Sequence, residues 1–340
     1  MFKTALARST ADLAIDLGTS NTRIALRAKG VVLDQPSVVA TQDSARGHEV
    51  VAVGQDARRM LGRTPAGTHV VRPVRQGVVR DFQATEQLVR HLIKRLGLRS
   101  LVRPRVLVCV PSNITEVERR AVQESVRAAG AREVKTVSTA LAGAVGAGLP
   151  ISEPVGNMII DIGGGRVEVA VISLGALVVH RSVPTAGDAM DESISRWMRE
   201  QRDLLIGERT AEQLKTRIGS AHAIENPEKM RIRGRDLQNG SPRELDVSSN
   251  DLASAMEPTV ARIRDTVLEV LRETPPELAA DIVERGVLVC GGAAQLLGMT
   301  DMLRDTTGLP VLLAESPTTC VVQGAAMMLE DQAMFDRCVE

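Results

Sequence analysis

The sequence predicts an α/β protein built from two related lobes. Three observations carry that prediction: an internal repeat, buried strands that each lead into a helix, and a composition able to fill a large aliphatic core. At 340 residues the chain is long enough for about two domains without disulfide or metal staples. Hydrophobic residues make up 44% and charged residues 25%, which excludes disorder as the dominant state. The 42 basic and 42 acidic side chains cancel, so the positive footprint of a general nucleic-acid binder is missing and no nucleic-acid partner is expected. With no Tyr, three Phe and Trp197 alone, base-stacking platforms are also excluded.

The repeat lies between residues 12–30 and 157–175. A single shift of 145 pairs Asp16 with Asp161, Gly18 with Gly163, Ala25 with Ala170 and Gly30 with Gly175. In each copy an apolar run ends at aspartate, a glycine turn follows and an apolar run resumes, which reads as strand, tight turn, strand. Downstream, residues 105–111 read as a strand buried on both faces. A helix over 115–129 follows, with Thr115 and Glu118 in capping-box spacing and Gly130 as its stop. In the second half, residues 286–290 form a short buried strand. The Gly291-Gly292 turn, a helix near 295–306 and a strand over 310–314 come after it. Two stretches of different texture, about 34–77 and about 186–256, read as subdomains. Lobe I is therefore expected at 1–144 and 318–340, and lobe II at 145–317.

A turn such as Asp16-Leu-Gly-Thr-Ser-Asn-Thr22 presents successive backbone N–H groups with little bulk, as the oxygens of a polyphosphate require. A carboxylate at the end of the preceding strand holds a hydrated Mg²⁺ beside the same phosphates. Two such hairpins facing each other make a clamp, whereas one alone reads as an ordinary turn. Cys109, Cys290, Cys320 and Cys338 lack metal-ligand spacing, and three lie in apolar runs, as buried reduced thiols do; this fits a cytoplasmic protein. At the N-terminus Phe2 and Leu6 are one helical turn apart beside Lys3 and Arg8. Eight residues leave a membrane-lying segment and a frayed end both open.

Several segments together resemble the MreB family of bacterial actins. They are the Asp16 hairpin, Leu61-Gly-Arg-Thr-Pro65 with Arg72-Pro73, Pro104-Arg-Val-Leu-Val-Cys-Val-Pro111, Gly146-Ala-Gly-Leu-Pro150, Asp161-Ile-Gly-Gly-Gly165 and Ile206-Gly-Glu-Arg-Thr-Ala-Glu212. The resemblance runs almost end to end. It implies an actin-like fold, a duplicated RNase H-like ATPase architecture in which each lobe carries a subdomain. It further implies ATP and Mg²⁺ in the cleft, self-assembly into filaments, possible contact with MreB paralogues and cell-wall elongation membrane proteins, and peripheral attachment at the inner face of the cytoplasmic membrane.

By the same resemblance, Asp16 with Gly18, Thr19, Ser20 and Asn21 forms the first phosphate hairpin, and Asp161 with Gly163, Gly164 and Gly165 the second. Asp16 and Asp161 would face Mg²⁺ through water. Gly187 and Asp188 match a Gly-Gly-Asp segment whose first glycine is Ala186. Glu212 and Lys215 fall at the nucleoside pocket, and Gly291, Gly292 and Ala293 at the adenosine turn, where the Ala293 methyl replaces a glycine. The chain departs from the family at its hydrolytic residues: Ser138 and Thr139 stand where the family has Glu-Glu, and Arg166 and Val167 where it has Thr-Thr. Arg166 has two readings, a counter-charge on phosphate or an ordinary strand-start arginine. Slow or absent hydrolysis is expected, because a hydroxyl cannot replace a carboxylate base. Two other readings stay open: a nucleotide-blind paralogue that co-assembles with a competent MreB, and a small-molecule kinase of the same superfamily.

Overall fold

The structure is a computed structural model that describes residues 12–44, 47–97 and 103–339; the N-terminal segment with Phe2 and Leu6 lies outside the described residues. Each lobe is organised by a five-stranded sheet, and the two sheets have the same strand order. In lobe I the order is Glu133–Ser138, Arg105–Val110, Leu13–Leu17, Asn21–Leu26, Gly30–Pro36. In lobe II it is Val311–Leu313, Val287–Cys290, Asn157–Ile162, Val167–Ser173, Ala176–Val183. In both sheets the first three strands run parallel and the last two pairings are antiparallel. The repeat seen in the sequence is thus a repeat of topology, and its hairpins pair in the same register, Asp16 opposite Arg23 and Asp161 opposite Glu168.

The central strands are apolar on both faces because helices and loops cover both sides of each sheet. Leu13, Ile15, Leu107, Ile159, Ile160 and Ile162 are fully buried. Between the sheets cross the helices Thr139–Gly146 and Cys320–Glu330. Their shared apolar cluster takes Ala14, Ala25 and Leu107 from one sheet and Ile159, Ala170 and Ile172 from the other. The helices approach backbone to backbone: a Cβ on Gly146 would overlap the Cys320 carbonyl, and one on Gly324 the Ala142 carbonyl. All four cysteines are buried and free, as their apolar surroundings predict.

The helix Glu116–Ala128 starts at Thr115 with both halves of the capping box formed by Glu118. The helix expected near 295–306 is instead a short 3₁₀ turn at Gly292–Gln295 followed by a helix at Met299–Thr307. Gly298 adopts a left-handed conformation (φ 74°) between them, which no continuous right-handed helix accommodates. One subdomain is the sheet of Val39–Ser44, Gly47–Val53 and Thr68–Val71 with the helix Gln55–Met60. The other holds the helices Gly187–Arg202 and Glu208–Ile218 and the sheet of Leu204–Leu205, Lys229–Asp236 and Pro242–Ser248. From there the helix Ser249–Glu273 runs unbroken through residue 256 and returns the chain to lobe II.

A candidate nucleotide cleft between the lobes

The two glycine hairpins meet apex to apex across the interlobe cleft. A Cβ on Gly164 would overlap the Ser20 hydroxyl, and one on Gly165 would overlap that of Thr19. Only glycine permits this approach. Thr19 Oγ1 also accepts the Gly77 N–H at 2.9 Å, which ties the end of the small lobe I subdomain to the first hairpin.

One cavity is lined by Asp16, Gly18, Thr19, Ser20 and Asn21 from lobe I and by Asp161, Gly163, Gly164, Gly165, Arg166 and Gly187 from lobe II. Glu212, Lys215, Gly291, Gly292 and Ala293 complete the walls. All the residues singled out for nucleotide contact are there except Asp188. That residue faces an adjoining cavity, where it lies 3.6 Å from Arg72 and accepts a 3.5 Å hydrogen bond from Ser20 Oγ. Ala293 is accommodated at the start of the 3₁₀ turn without a left-handed backbone. Residues not foreseen include Arg23, Cys109, Thr216, Pro317 and Thr318. Thr216 lies four residues after Glu212 on one helix, so the i, i+4 spacing was a usable signal. Pro317 and Thr318 had none, because they arrive from a loop at the opposite end of the chain.

Electrostatically the cavity floor is a carboxylate group short of cations. Burial raises Asp16, with Arg23 at 3.7 Å opposing the shift. Burial, then Glu168 and Asp16, push Asp161 up to about 7. Burial also raises Glu168, which accepts hydrogen bonds from Ser112 N–H (2.8 Å), Ser112 Oγ (3.0 Å) and Ser182 Oγ (2.9 Å). Two aspartates at one cavity, each destabilised as an anion by burial, are the residues that would hold a hydrated Mg²⁺. Among the described residues no cluster of three metal-ligating side chains forms; the residues that would hold the ion, through water, are Asp16 and Asp161.

On the nucleoside side, Lys215 Nζ donates to Gly187 O (2.7 Å) and Asp191 Oδ2 (2.8 Å). Glu212 receives Arg58 Nη2 at 2.6 Å, a link from one subdomain to the other. The Gly291 N–H donates to Pro317 O at 2.7 Å, which fixes the Gly291-Gly292 turn against the neighbouring loop.

A family model described as MreB/Mbl protein matches residues 10–337. This chain belongs to the MreB/Mbl family. It is 47% identical over 323 residues to the cell shape-determining protein MreB of Escherichia coli strain K12, covering 94% of this chain and 93% of that protein. It is 42% identical over 321 residues to the cell shape-determining protein Mbl of Bacillus subtilis strain 168, covering 94% and 96%. The crystal structure of MreB 5 of Spiroplasma citri bound to AMPPNP superposes with TM-score 0.89 at 34% identity, over 96% of this chain and 98% of that one. A MamK double helical filament, at 19% identity, shares the fold with TM-score 0.78. The fold is therefore the actin-like α/β architecture.

Within this MreB-family cleft, Ser138, Thr139 and Arg166, where the resemblance implies hydrolytic residues, have particular surroundings. Thr139 lines the cavity and donates its hydroxyl to Val110 O at 3.0 Å. Ser138 Oγ lies 2.9 Å from Ser112 Oγ. Arg166 is held by protein acceptors: Nε donates to Gln76 O (2.9 Å), and Nη1 to Asn113 Oδ1 (3.1 Å) and Ser182 Oγ (2.9 Å).

Proposed function

We propose that this MreB-family protein binds Mg²⁺·ATP in the interlobe cleft. In this reading it assembles head to tail through its two subdomains and acts as a peripheral cytoskeletal filament on the inner face of the cytoplasmic membrane, in cell-shape and cell-wall morphogenesis. The observation that carries the reading is the convergence of both hairpins, both aspartates and the Gly291-Gly292 turn on a single cavity. Support for nucleotide comes from the AMPPNP- and ADP-bound structures of MreB 5, and support for self-assembly from the MamK filament of the same fold. Among the described residues no helix is long and apolar enough to cross a membrane, and attachment is assigned to the N-terminal Phe2 and Leu6. Many weak anchors on one polymer add by avidity.

Bound Mg²⁺ would neutralise the phosphates and the Asp16–Asp161 pair; the chain's own contribution is to grip and orient the polyphosphate with backbone N–H groups. Hydrolysis is slow in this reading, because no carboxylate stands at 138 or 139 to orient water, a loss of about 10²–10⁴ in rate. Calorimetric titration with Mg²⁺·ATP, run beside phosphate release and pelleting, tests the whole. Asp16→Ala and Asp161→Ala each weaken binding by about tenfold or more, the worth of one or two charge-assisted contacts. Undiminished binding in both variants, or phosphate release matching a relative that has both glutamates, overturns it.

A further inference from the structure

The residues that replaced the hydrolytic apparatus are joined to one another, and the joint crosses the cleft. From lobe I come Gln76, Ser112, Asn113 and Ser138; from lobe II come Arg166, Glu168 and Ser182. Arg166 spans them by donating to Gln76 O, Asn113 Oδ1 and Ser182 Oγ. Ser182 Oγ in turn donates a hydrogen bond to Glu168 Oε1. From the other lobe Glu168 takes the Ser112 N–H and hydroxyl. With the Ser112 hydroxyl committed to Glu168, Ser138 must be the donor in the Ser112–Ser138 pair, so one consistent set of protons satisfies the whole chain of bonds. Asn113 Nδ2 closes the ring on Ser182 O at 3.3 Å. Near the cleft mouth, two further ties join the lobes: Arg58 with Glu212, and Arg72 with Glu208 at 2.5 Å and Asp188 at 3.6 Å.

We propose that Arg166 with Glu168, Ser112 and Ser138 forms an interlobe latch that fixes the lobe angle independently of which nucleotide occupies the cleft. The protein is then a subunit competent for assembly in every nucleotide state. The argument is thermodynamic. A ligand moves a two-state equilibrium only by its difference in affinity for the two states. ATP and ADP differ by a γ-phosphate; beyond the hairpin N–H groups, which grip phosphate in either nucleotide, a side-chain grip selective for it would draw on positions 138, 139 and 166. Here Arg166 is spent on Gln76 O, Asn113 and Ser182, Ser138 on Ser112, and Thr139 on Val110 O. The Gln76–Gly77 turn shows the same transfer: Thr19 holds Gly77 N–H while Arg166 holds Gln76 O, so the turn is fixed from both lobes by protein groups. Arg166 is also half-buried beside Glu168 and Glu118, which suits a fixed ionic strut rather than a solvated side chain. In a chain with a threonine at 166, none of the three guanidinium bonds can form.

The inference rests on the cleft reading above, so the test separates the two. Spin labels at Arg63→Cys and Arg233→Cys, exposed positions on the two subdomains, report the interlobe distance by double electron resonance without nucleotide, with Mg²⁺·ADP and with Mg²⁺·AMPPNP. Calorimetry on the same samples reports occupancy. The native latch gives one distance distribution in all conditions, and critical concentrations for assembly that agree between ADP and AMPPNP. Arg166→Thr broadens the nucleotide-free distribution and separates the two critical concentrations by about fivefold or more, the lower range of allosteric coupling. Ser182→Ala, which removes the two bonds of that hydroxyl, from Arg166 and to Glu168, and keeps the charge, moves both readouts the same way by less, and serves should Arg166→Thr fold poorly. Failure of nucleotide to bind sinks the cleft reading while the nucleotide-free distances still judge the latch. A native distribution that shifts with nucleotide, or variants indistinguishable from the native protein, overturns the latch.

Discussion

Across from Asp16, the second strand of the lobe I hairpin presents Arg23; across from Asp161, the same position of the lobe II hairpin, 145 residues on, presents Glu168. Backbone register, strand order and even the neighbouring cysteine are shared, since Cys109 flanks Asp16 and Cys290 flanks Asp161 on the adjacent parallel strands. Only the facing charge is inverted. The consequence is visible in the two carboxyls: Arg23 works against the burial of Asp16, whereas Glu168 adds to the burial of Asp161 and drives it to about 7. Lobe I thus sets a cation opposite its aspartate and lobe II an anion, and among the described residues Arg23 opposes the rise of both aspartates. A duplicated backbone does not imply a duplicated site.

Copying lobe II into lobe I removes that asymmetry and has the largest expected effect. Arg23→Glu leaves Asp16, Asp161, Asp34 and Glu168 facing a new carboxylate with no cation between them. Breaking a largely buried ion pair costs about 3–5 kcal/mol. Urea unfolding at pH 8 reads this as a fall in midpoint at constant slope, and Arg23→Met falls by less because it adds no charge. An unchanged midpoint for Arg23→Glu would show that the cross-strand charge is solvated and that the contrast between the lobes has no energetic content.

A smaller effect, spread over pH, separates the two sides of the cleft. Lobe II holds a second carboxyl pushed to about 7, Asp191, where burial outweighs Lys215 at 2.8 Å and Oδ1 has no hydrogen-bond partner among the described residues. The folded pKa lies above the ordinary 3.8, so the native state keeps a proton that the unfolded chain has lost. The stability from this group is complete below pH about 4 and is lost as pH rises through about 7, at up to about 1.4 kcal/mol per pH unit. Asp191→Asn flattens the fall in stability between pH 5 and 8, though not to zero, because Asp161 titrates in the same direction. Asp16→Asn, on the lobe with its own arginine, changes that slope less. Equal slopes for the native protein and Asp191→Asn would remove Asp191 from the account.

How much of this was legible in the sequence depends on the range of the interaction. The hairpins, the buried strands and the Thr115 cap are written in local patterns of apolar residues, glycine and hydroxyl, and they fold as read. The cross-strand inversion lay inside the aligned repeat, yet it acquires meaning only once the register places residue 23 opposite residue 16. Arg166 shows the limit more sharply. Its position beside the glycine turn allowed a phosphate contact or a solvent-facing side chain, and neither reading included Gln76 and Asn113, which reach it only when the lobes meet. The Arg58–Glu212 pair, 154 residues apart in sequence, gave no local signal at all.

The finest distinction is Glu168→Gln, which removes the inverted charge and keeps the shape. The glutamine oxygen, placed where Oε1 is, still accepts from Ser112 N–H and Ser182 Oγ. Its amide then faces Ser112 Oγ, which turns its own proton to Ser138, a pair in which either hydroxyl can donate. One acceptor becomes a donor with the network intact, so the hydrogen bonds change little. Two electrostatic changes oppose each other: Asp161 loses a like charge, while Arg166 loses the anion that most favours its charge. Net stability at pH 8 moves by no more than about 1 kcal/mol, the scale of one ordinary hydrogen bond. The sharper readout is Asp161 itself, followed by carbon NMR of its carboxyl, whose midpoint moves down from about 7 toward the value of Asp16. A midpoint that stays in place would assign the shift to burial and Asp16, and the facing charge at 168 would then not be what separates the two hairpins.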